Sequence, residues 1–295
     1  MRYLTPSIHN FMSKNTPVSR IVSHIRKHKR FWASACVAML LSMCCVKHFG
    51  NLGASTIEKE AISVTGETIN AMGPLKIAFI SDIHNNAGLF EQAIVIIEQE
   101  KPDLIIFGGD LILTNERFMR TKWAVNGFKR LQAIAPVYAV LGNQDYEKLT
   151  DVERVLSTAG VTLLRNNAVE WTTPAGKEIM IVGLGDYNEG DEAPEQCLSP
   201  QGMENKPVLL LSHDPESRWL LREYDWDFML SGHTHGGQLG IPFTGKCISF
   251  RSSMPAGLYD FDGGRKIYVT RGIGAILGMR FFCTPEVTII NIPGS

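Results

Sequence analysis

Five short, predominantly apolar runs constrain the fold of this 295-residue chain more than any other feature. They are Leu75 to Ser81, Leu104 to Phe107, Val137 to Leu141, Val208 to Leu211 and Phe228 to Leu230. Runs of this length and composition are typical of strands buried on both faces. A helical pattern follows the first run and is stopped by Pro102. This alternation, with a strand-rich second half, predicts an α/β fold of two mixed sheets packed together with helices outside.

The remaining elements follow from the same periodicities. Helices are predicted at Glu116 to Ala133, Asp151 to Ala159 and Glu216 to Arg222. Strands are predicted near Ala61 to Val64 and at Val161 to Leu164, Ile179 to Gly183, Lys266 to Thr270 and Val287 to Asn291.

Each apolar run leads into a short motif rich in Asp, Asn, Gly and His. In order, the motifs are Asp82-Ile83-His84, Gly109-Asp110, Gly142-Asn143-Gln144-Asp145, Ser212-His213 and Gly232-His233-Thr234-His235. Ligand sites of α/β sheets form at the carboxyl ends of the strands, so these side chains are expected to converge at one edge. The glycines are expected where the backbone turns off a strand.

The distribution of histidine supports a common site. Of eight histidines, His84, His213, His233 and His235 all lie in these motifs, whereas the other four lie in or beside a basic N-terminal segment. A histidine in one such motif alone is as often a structural core residue as a metal ligand. Five motifs in this order at five strand ends favour metal binding.

The series Asp-x-His, Gly-Asp, Gly-Asn-x-Asp, His and Gly-His-x-His resembles the calcineurin-like metallophosphoesterases, from Pro74 to about Pro293. Lys101-Pro102-Asp103, His213-Asp214-Pro215 and Thr270-Arg271-Gly272 resemble the membrane-linked YaeI/YkuE branch of that family. The resemblance implies a four-layer αββα sandwich, two divalent metal ions and cleavage of phosphodiester bonds by a hydroxide that bridges them.

The resemblance also implies a ligand set. Asp82, His84 and His235 would hold the first metal, Asn143, His213 and His233 the second, and Asp110 would bridge the two. Two ions about 3.5–4 Å apart can hold both sides of an in-line phosphoryl displacement. Mixed imidazole and oxygen donors suit Mn²⁺, Fe, Zn²⁺ or Ni²⁺ without selecting one.

Asn143, Gln144 and Asp145 are the catalytic candidates, and Gln144 departs from the family pattern. The family usually has a histidine there, which is thought to protonate the leaving oxygen. An amide cannot deliver a proton near neutral pH, so we expect a leaving group that needs little help. A phosphodiester or a diphosphate qualifies, including a UDP-sugar lipid such as UDP-2,3-diacylglucosamine. The alternative is that Gln144 only hydrogen-bonds the substrate.

Two further residues are candidate substrate contacts. Asp186 lies in the Gly185-Asp186-Tyr187 motif, and Arg271 follows a predicted strand. Residues Phe243 to Gly264, rich in Gly, Pro and aromatic residues, are predicted to form a hairpin flap over the site.

The N-terminus carries the pattern of a membrane segment. Residues 1–30 hold seven Lys/Arg and no acidic residue, and residues 31–46 have no charge. This length lies between a signal peptide core and a spanning helix, so an anchor and an uncleaved signal both remain open. Residues 47–73 are predicted to be a linker, and residues 74–295 the catalytic domain. The positive-inside bias predicts a cytoplasmic tail and a single-pass cell-membrane protein whose domain faces outward, on the periplasmic side.

Charge and cysteine content exclude other classes. Beyond residue 30 the chain has 22 basic and 30 acidic residues, which argues against nucleic-acid binding. Cys197, Cys247 and Cys283, the cysteines of the domain, show neither a disulfide framework nor a Cys-x-x-Cys zinc motif. The sequence does not indicate an oligomeric state.

A binding scaffold that has lost turnover is the alternative from another class. Loss of the usual histidine at position 144 favours it, whereas retention of all seven predicted ligands opposes it.

Overall fold

The computed structural model describes residues 55–113, 121–199, 206–242 and 244–294, with positions 34, 37, 38 and 203. Its α-helices are α1 (Glu67–Asn70), α2 (Ala87–Glu100), α3 (Lys122–Gln132) and α4 (Leu149–Ala159). Its strands are β1 (Glu58–Ser63), β2 (Leu75–Ile80), β3 (Leu104–Phe107), β4 (Val137–Ala139), β5 (Thr162–Leu163), β6 (Asn167–Thr172), β7 (Glu178–Gly183), β8 (Val208–Leu211), β9 (Phe228–Ser231), β10 (Leu239–Gly240), β11 (Cys247–Ile248), β12 (Gly257–Asp260), β13 (Lys266–Val269) and β14 (Glu286–Ile292).

The strands form two mixed six-stranded sheets and a small ribbon. The first sheet has the order β1-β14-β2-β3-β4-β5, with β2 to β5 parallel and β14 antiparallel to β2. The second has the order β12-β13-β9-β8-β7-β6, with parallel strands at its centre and antiparallel strands at both edges. Strands β10 and β11 pair separately as an antiparallel ribbon.

Alternation along β2 shows how the sheets pack. Ile77 and Phe79 point into a core that also contains Leu209 and Phe228 of the second sheet. Ala78 and Ile80 point the other way, into a core shared with helices α2, α3 and α4. Because both faces of β2 are covered, its sequence is an almost continuous apolar run.

The outer face of the second sheet differs from the predicted four-layer sandwich. Its core contains Leu221 and Trp226, but among the described residues no α-helix packs there. The helix predicted at Glu216 to Arg222 is instead a 3-10 helix at Pro215–Trp219. Asp214 caps it and the chain then turns, so the segment is too short for an α-helix to gain from packing.

The folded domain begins before Pro74. The predicted short strand is present as β1, which lies inside the region predicted to be a linker. It pairs in parallel with β14 of the catalytic domain. Ile69 of α1 and Met72 are buried between the sheets. The predicted membrane segment, residues 31–46, lies almost entirely outside the described residues. Within the described part of the chain, no helix has the length and apolar character to cross a bilayer.

Helix α3 depends on a glycine, and this gives a stability test. A Cβ at Gly127 would lie 2.3 Å from Cε1 of the buried Phe90 ring. Alanine gains about 1 kcal/mol of helix propensity, but overpacking costs about 1–3 kcal/mol. We expect Gly127→Ala to lower the free energy of unfolding by up to roughly 2 kcal/mol in chemical denaturation.

Gly88→Ala in α2 is the matched control. A Cβ there has its nearest neighbour at 3.8 Å, so the variant should be unchanged or up to about 1 kcal/mol more stable. Equal stability of the two variants would show that the α2–α3 contact is not close-packed.

Candidate metal centre

The polar motifs do converge at one edge of the two sheets. The loops after β2, β3, β4, β8 and β9 begin at Ser81, Gly108, Val140, Ser212 and Gly232 respectively. The backbone of Asp82 bonds to Gly109 and that of Gly232 to His213, so neighbouring loops are joined directly. This edge is formed by the carboxyl ends of parallel strands, as the sequence predicts.

The backbone at this edge is unusual. Five of the seven predicted metal ligands have positive φ angles between 47° and 65°, and these are Asp82, His84, Asp110, His233 and His235. Residues other than glycine rarely adopt this conformation, and it costs on the order of 1 kcal/mol or more at each position. The geometry of the donors is therefore imposed by the surrounding structure.

Glycines allow the loops to approach each other. Gly109 has a φ of 95°, and a Cβ there would lie 2.4 Å from the backbone nitrogen of Gly142. Gly142 itself is extended, with a φ of −103°. It is required because a Cβ would lie 2.3 Å from Oδ1 of Asp110. The prediction of a sharp turn therefore holds at Gly109, whereas close packing explains Gly142.

The first donor cluster consists of Asp82, His84 and His235, all buried, with ligand atoms within 4.8 Å of one another. Nδ1 of His84 donates to the carbonyl of Ile112 at 2.9 Å, which leaves its Nε2 as the acceptor. That Nε2 lies 2.9 Å from Nε2 of His235, a contact that requires a proton or a cation between the nitrogens.

The second cluster consists of Asp82, Asp110 and His213. Nδ1 of His213 donates to the carbonyl of Gly108 at 2.7 Å. Its Nε2 is buried and has no hydrogen-bond partner among the described residues. Such an atom is costly unless something else binds it. The donor chemistry at this position therefore fits a divalent metal.

Asn143 and His233 adjoin the second cluster on its open side. Oδ1 of Asn143 lies 3.0 Å from Nδ1 of His233, and Nε2 of His233 lies 3.6 Å from Oδ2 of Asp214. The backbone amide of His233 donates to the Asp82 carboxylate at 3.1 Å, which couples this loop to the first cluster.

Asp82 belongs to both clusters, and Asp110 of the second cluster also lies close to a histidine of the first. Oδ2 of Asp110 lies 3.6 Å from Nε2 of His84 and 3.4 Å from Nε2 of His213. Donors about 2.0–2.2 Å from a single ion lie roughly 3–4 Å apart, so both distances suit a common ligand. Burial opposes ionisation of this carboxyl, but His213 and His84 hold its pKa below the ordinary value. The predicted bridging position is thus available to an ionised carboxylate.

The carboxylates create a negative potential that favours cations. Burial disfavours the charged form of His213, yet Asp110 and Asp82 raise its pKa well above the ordinary value. His235 behaves in the opposite way, because burial, His84 and Arg280 hold its pKa well below the ordinary value. This lowered pKa favours the neutral imidazole of His235, the form that binds metal.

Asp145 supports the loops and does not face the cleft. Its carboxylate accepts four backbone N–H groups, from Asp110 (2.8 Å), Leu111 (2.9 Å), Ile112 (3.3 Å) and Gly142 (3.1 Å). Burial and the nearby Asp110 raise its pKa to about 7. These bonds join the loop after β3 to the loop after β4, so Asp145 positions Asp110.

Gln144 lies at the site. Asp186 and Arg271, the predicted substrate contacts, do not line the cleft that opens beside the donors. The backbone amide of Gln144 donates to Oδ1 of Asp110 at 2.8 Å. The buried Asp186 accepts the backbone amides of Asn188 and Glu189. Arg271 is ion-paired with Glu286, and Glu58 and Glu60 lie 3.5 and 3.4 Å away.

With the donors placed, comparison with known proteins identifies the family. Residues 75–237 match the calcineurin-like phosphoesterases. The chain belongs to this family. It is 37% identical to the phosphodiesterase YaeI of Escherichia coli over 230 residues, 74% of this chain and 82% of YaeI. It is 31% identical to the metallophosphoesterase YkuE of Bacillus subtilis, over 81% of this chain and 88% of YkuE.

A third relative has a different activity in its name. The UDP-2,3-diacylglucosamine pyrophosphatase LpxG of Chlamydia muridarum is 26% identical, over 74% of this chain and 83% of LpxG.

In this calcineurin-like phosphoesterase, Arg280 is a supporting residue that the sequence did not reveal. Its fully buried guanidinium donates to the carbonyls of Gly274 (3.0 Å), Arg271 (2.7 Å) and His235 (3.3 Å), and it lies 3.2 Å from Nδ1 of His235. It therefore fixes the position of His235. No local motif marks Arg280, because its partners are far away in the sequence.

A cleft of about 600 Å³ opens beside the donors. Its walls include Asp214, Asn188, His233, His235 and Phe250. Asn188 donates to Oδ2 of Asp214 at 2.7 Å. Asp214 and Asn188 are functional candidates that the sequence reading did not assign, although Asp214 is part of the His213-Asp214-Pro215 motif that it quoted.

The position of Asp110 between His84 and His213 leads to a metal-binding test. Asp110→Asn keeps the size of the side chain but replaces a charged ligand by a neutral one between two cations. We expect calorimetric titration with Mn²⁺ to show two sites in the wild type. In the variant, at least one site should weaken by more than roughly 100-fold.

Asp103→Asn is the control. Asp103 accepts the backbone amide of Lys76 at 2.8 Å, at the opposite end of the sheet. It should bind metal like the wild type. Two unchanged sites in Asp110→Asn would remove Asp110 from the ligand set.

Proposed function

We propose that the protein is a dinuclear-metal phosphodiesterase. The observation that carries the proposal is the position of Asp110 Oδ2, within 3.6 Å of ring nitrogens from both donor clusters. Two divalent ions, when bound, polarise a phosphoryl oxygen and lower the pKa of water enough for nucleophilic attack near neutral pH. Asp82, His84, His235 and Asp110 would hold one ion, and Asp110, Asn143, His213 and His233 the other.

The chain prepares these donors before any ligand arrives. The carbonyls of Ile112 and Gly108 orient His84 and His213 so that each presents Nε2 to the site. Asp145 holds the backbone that carries Asp110, and Arg280 holds His235. Such support keeps ligand geometry fixed during reaction, which is the principal contribution a protein makes to metal-assisted hydrolysis.

The residue at position 144 limits the leaving group. The half-buried Gln144 lies next to Asp110, where its amide can bind a substrate oxygen but cannot supply a proton. We infer a preference for leaving groups that depart as weakly basic anions. Phosphodiesters with good leaving groups and diphosphates satisfy this requirement, whereas simple alkyl esters do not.

The rim of the cleft favours a lipid-linked substrate. Large apolar side chains are exposed on the loops beside it, and these are Ile241, Phe250, Ile276, Leu277, Met279 and Phe282. Phe250, which is 94% exposed, and Ile276 line the cleft itself. Lys246 and Arg251, on the loop that carries Phe250, are exposed cations. An apolar rim with exposed cations suits a phosphoester that carries acyl chains.

The second candidate is a diphosphatase acting on a UDP-sugar lipid. The specific support is this apolar rim together with the relationship to LpxG. The greater identity to YaeI favours the phosphodiesterase. The two candidates share the metal chemistry and differ in the bond cleaved.

A membrane location also belongs to the proposal. The uncharged residues 31–46, preceded by seven cations, would anchor the protein as a single-pass segment in the cell membrane with the domain outside. Strand β1 pairs with β14 from Glu58↔Glu286 onward, and Glu286 bonds to Gly272 at the metal edge. The chain therefore enters the domain at the edge that bears the site.

A leaving-group series tests both the enzyme and the role of Gln144. We expect the metal-loaded wild type to hydrolyse phosphodiesters with activated aryl groups and to slow steeply as the leaving group becomes more basic. Gln144→His should accelerate the alkyl members most, by up to roughly 10²-fold, because general-acid help matters most there.

Gln144→Ala is the control for hydrogen bonding without proton transfer, and Asp110→Asn is the inactive reference. Equal effects of Gln144→His along the whole series would reject a proton-donor deficit at this position. Two bound metals without hydrolysis of any member would favour the non-catalytic scaffold.

A reporter at the C-terminus of the full chain tests the topology. The outward orientation predicts activity from a reporter enzyme that folds only outside the cytoplasm, and none from a cytoplasmic fluorescent reporter. The reverse result would place the domain in the cytoplasm. It would also bring a nucleotide-linked lipid within reach and thereby support the diphosphatase.

A further inference from the structure

Two cysteines of the domain meet beside the metal loop. Sγ of Cys247 lies 3.4 Å from Sγ of Cys283, although 36 positions separate them in the sequence. Both are reduced in this structure. No motif pairs them in the sequence, because the register of distant segments brings them together.

Their proximity is fixed by the main chain. Cys247 on β11 pairs with Gly240 of β10. On the other side of β10, the amide of Gly240 donates to the carbonyl of Phe281 at 2.6 Å, two residues before Cys283. The same short strand, β10, therefore holds both cysteine-bearing segments. The short distance between the two sulfurs follows from this backbone pairing and not only from the side-chain rotamers.

The thiols lie against the loop that carries the metal ligands. A Cβ at Gly236 would be 2.7 Å from Sγ of Cys283 and 2.8 Å from Sγ of Cys247. The Cys283 thiol is 3.3 Å from the carbonyl of His235. The sulfurs thus pack over the backbone between His235 and Gly237, and any bond between them would fix this loop to its neighbours.

Accessibility differs between the two cysteines. Cys247 is partly exposed and Cys283 is buried. Thiol–disulfide exchange requires one sulfur that a reagent can reach and a second that resolves the mixed disulfide. Cys247 meets the first requirement and Cys283 the second.

We propose that Cys247 and Cys283 form a redox-modifiable pair, which closes to an intramolecular disulfide by exchange with a small-molecule disulfide. The sulfur of Cys247 loses its proton as it attacks one sulfur of the reagent and releases one thiolate, and the sulfur of Cys283 then attacks Cys247 and releases a second. The two cysteines lose two electrons and two protons, and the reagent disulfide becomes two thiols. Disulfide sulfurs lie about 2.05 Å apart, so the two segments move together by more than about 1 Å.

The bond would brace the cleft. It joins β11, three residues before Phe250, to the segment after Arg280, around the metal ligand His235. Such a bond forms and persists in an oxidising compartment. The proposal does not depend on which phosphoester is the substrate, since it concerns only the two thiols and the loop between them.

The decisive measurement uses the full-length wild type. The reduced protein is equilibrated with excess glutathione disulfide, blocked with iodoacetamide in denaturant, and mapped by peptide mass. We expect a crosslinked peptide pair containing Cys247 and Cys283, reversed by dithiothreitol, while Cys197 stays alkylated. Alkylation of both residues, or glutathione adducts without the crosslink, would overturn the proposal.

Thermal unfolding tests whether the bond braces the fold. Oxidation should raise Tm by roughly 5–10 °C, because the closed loop restricts the unfolded chain. The shift should vanish in Cys247→Ser and in Cys283→Ser, and persist in Cys197→Ser, whose cysteine lies in the core behind the second sheet. A mapped crosslink that leaves Tm unchanged would contradict the bracing.

Discussion

Left-handed backbone at the metal edge is the constraint on which the rest of this structure depends. Asp82, His84, Asp110, His233 and His235 all adopt it, and each position costs free energy that an isolated loop would not tolerate. The two sheets supply a rigid base, because the strands that lead into these loops are buried on both faces. Asp145 and Arg280 then bind the loop backbones directly and hold the donors in one arrangement.

Charge balance determines what this arrangement can do. Asp82 and Asp110 place two carboxylates in a buried space whose other walls are imidazoles. Such a space attracts cations, and Nε2 of His213, which makes no hydrogen bond within the described residues, lies 3.4 Å from Oδ2 of Asp110 in a position to bind one. The site can thus stabilise negative charge on the phosphoryl group through bound cations, whereas Gln144 cannot donate a proton to the leaving group. The selectivity of the enzyme is therefore expected to depend on the leaving group.

The loops from 232 to 256 and from 270 to 285 combine several properties. They carry His233 and His235, wall the cleft, expose the apolar rim and bring Cys247 to Cys283. Leu277 and Phe282 are exposed and also have positive φ angles. An unfavourable φ angle and an exposed apolar side chain at the same residue do not stabilise the fold. Their occurrence together at two residues of these loops favours a functional surface.

The sequence by itself determined the buried strands and indicated the candidate metal ligands. Strands β3 and β8 have the predicted bounds because continuous apolar runs have no other stable placement. The polar motifs at their ends were readable because each motif is local. Only the tertiary structure decided the rest. Strand β6 is half exposed, so its sequence has no continuous apolar run that would predict it. Sheet register determines three contacts between distant residues: Arg271 with Glu286, Arg280 with His235, and Cys247 with Cys283. Register is set by packing between segments far apart in the chain, which no local pattern encodes.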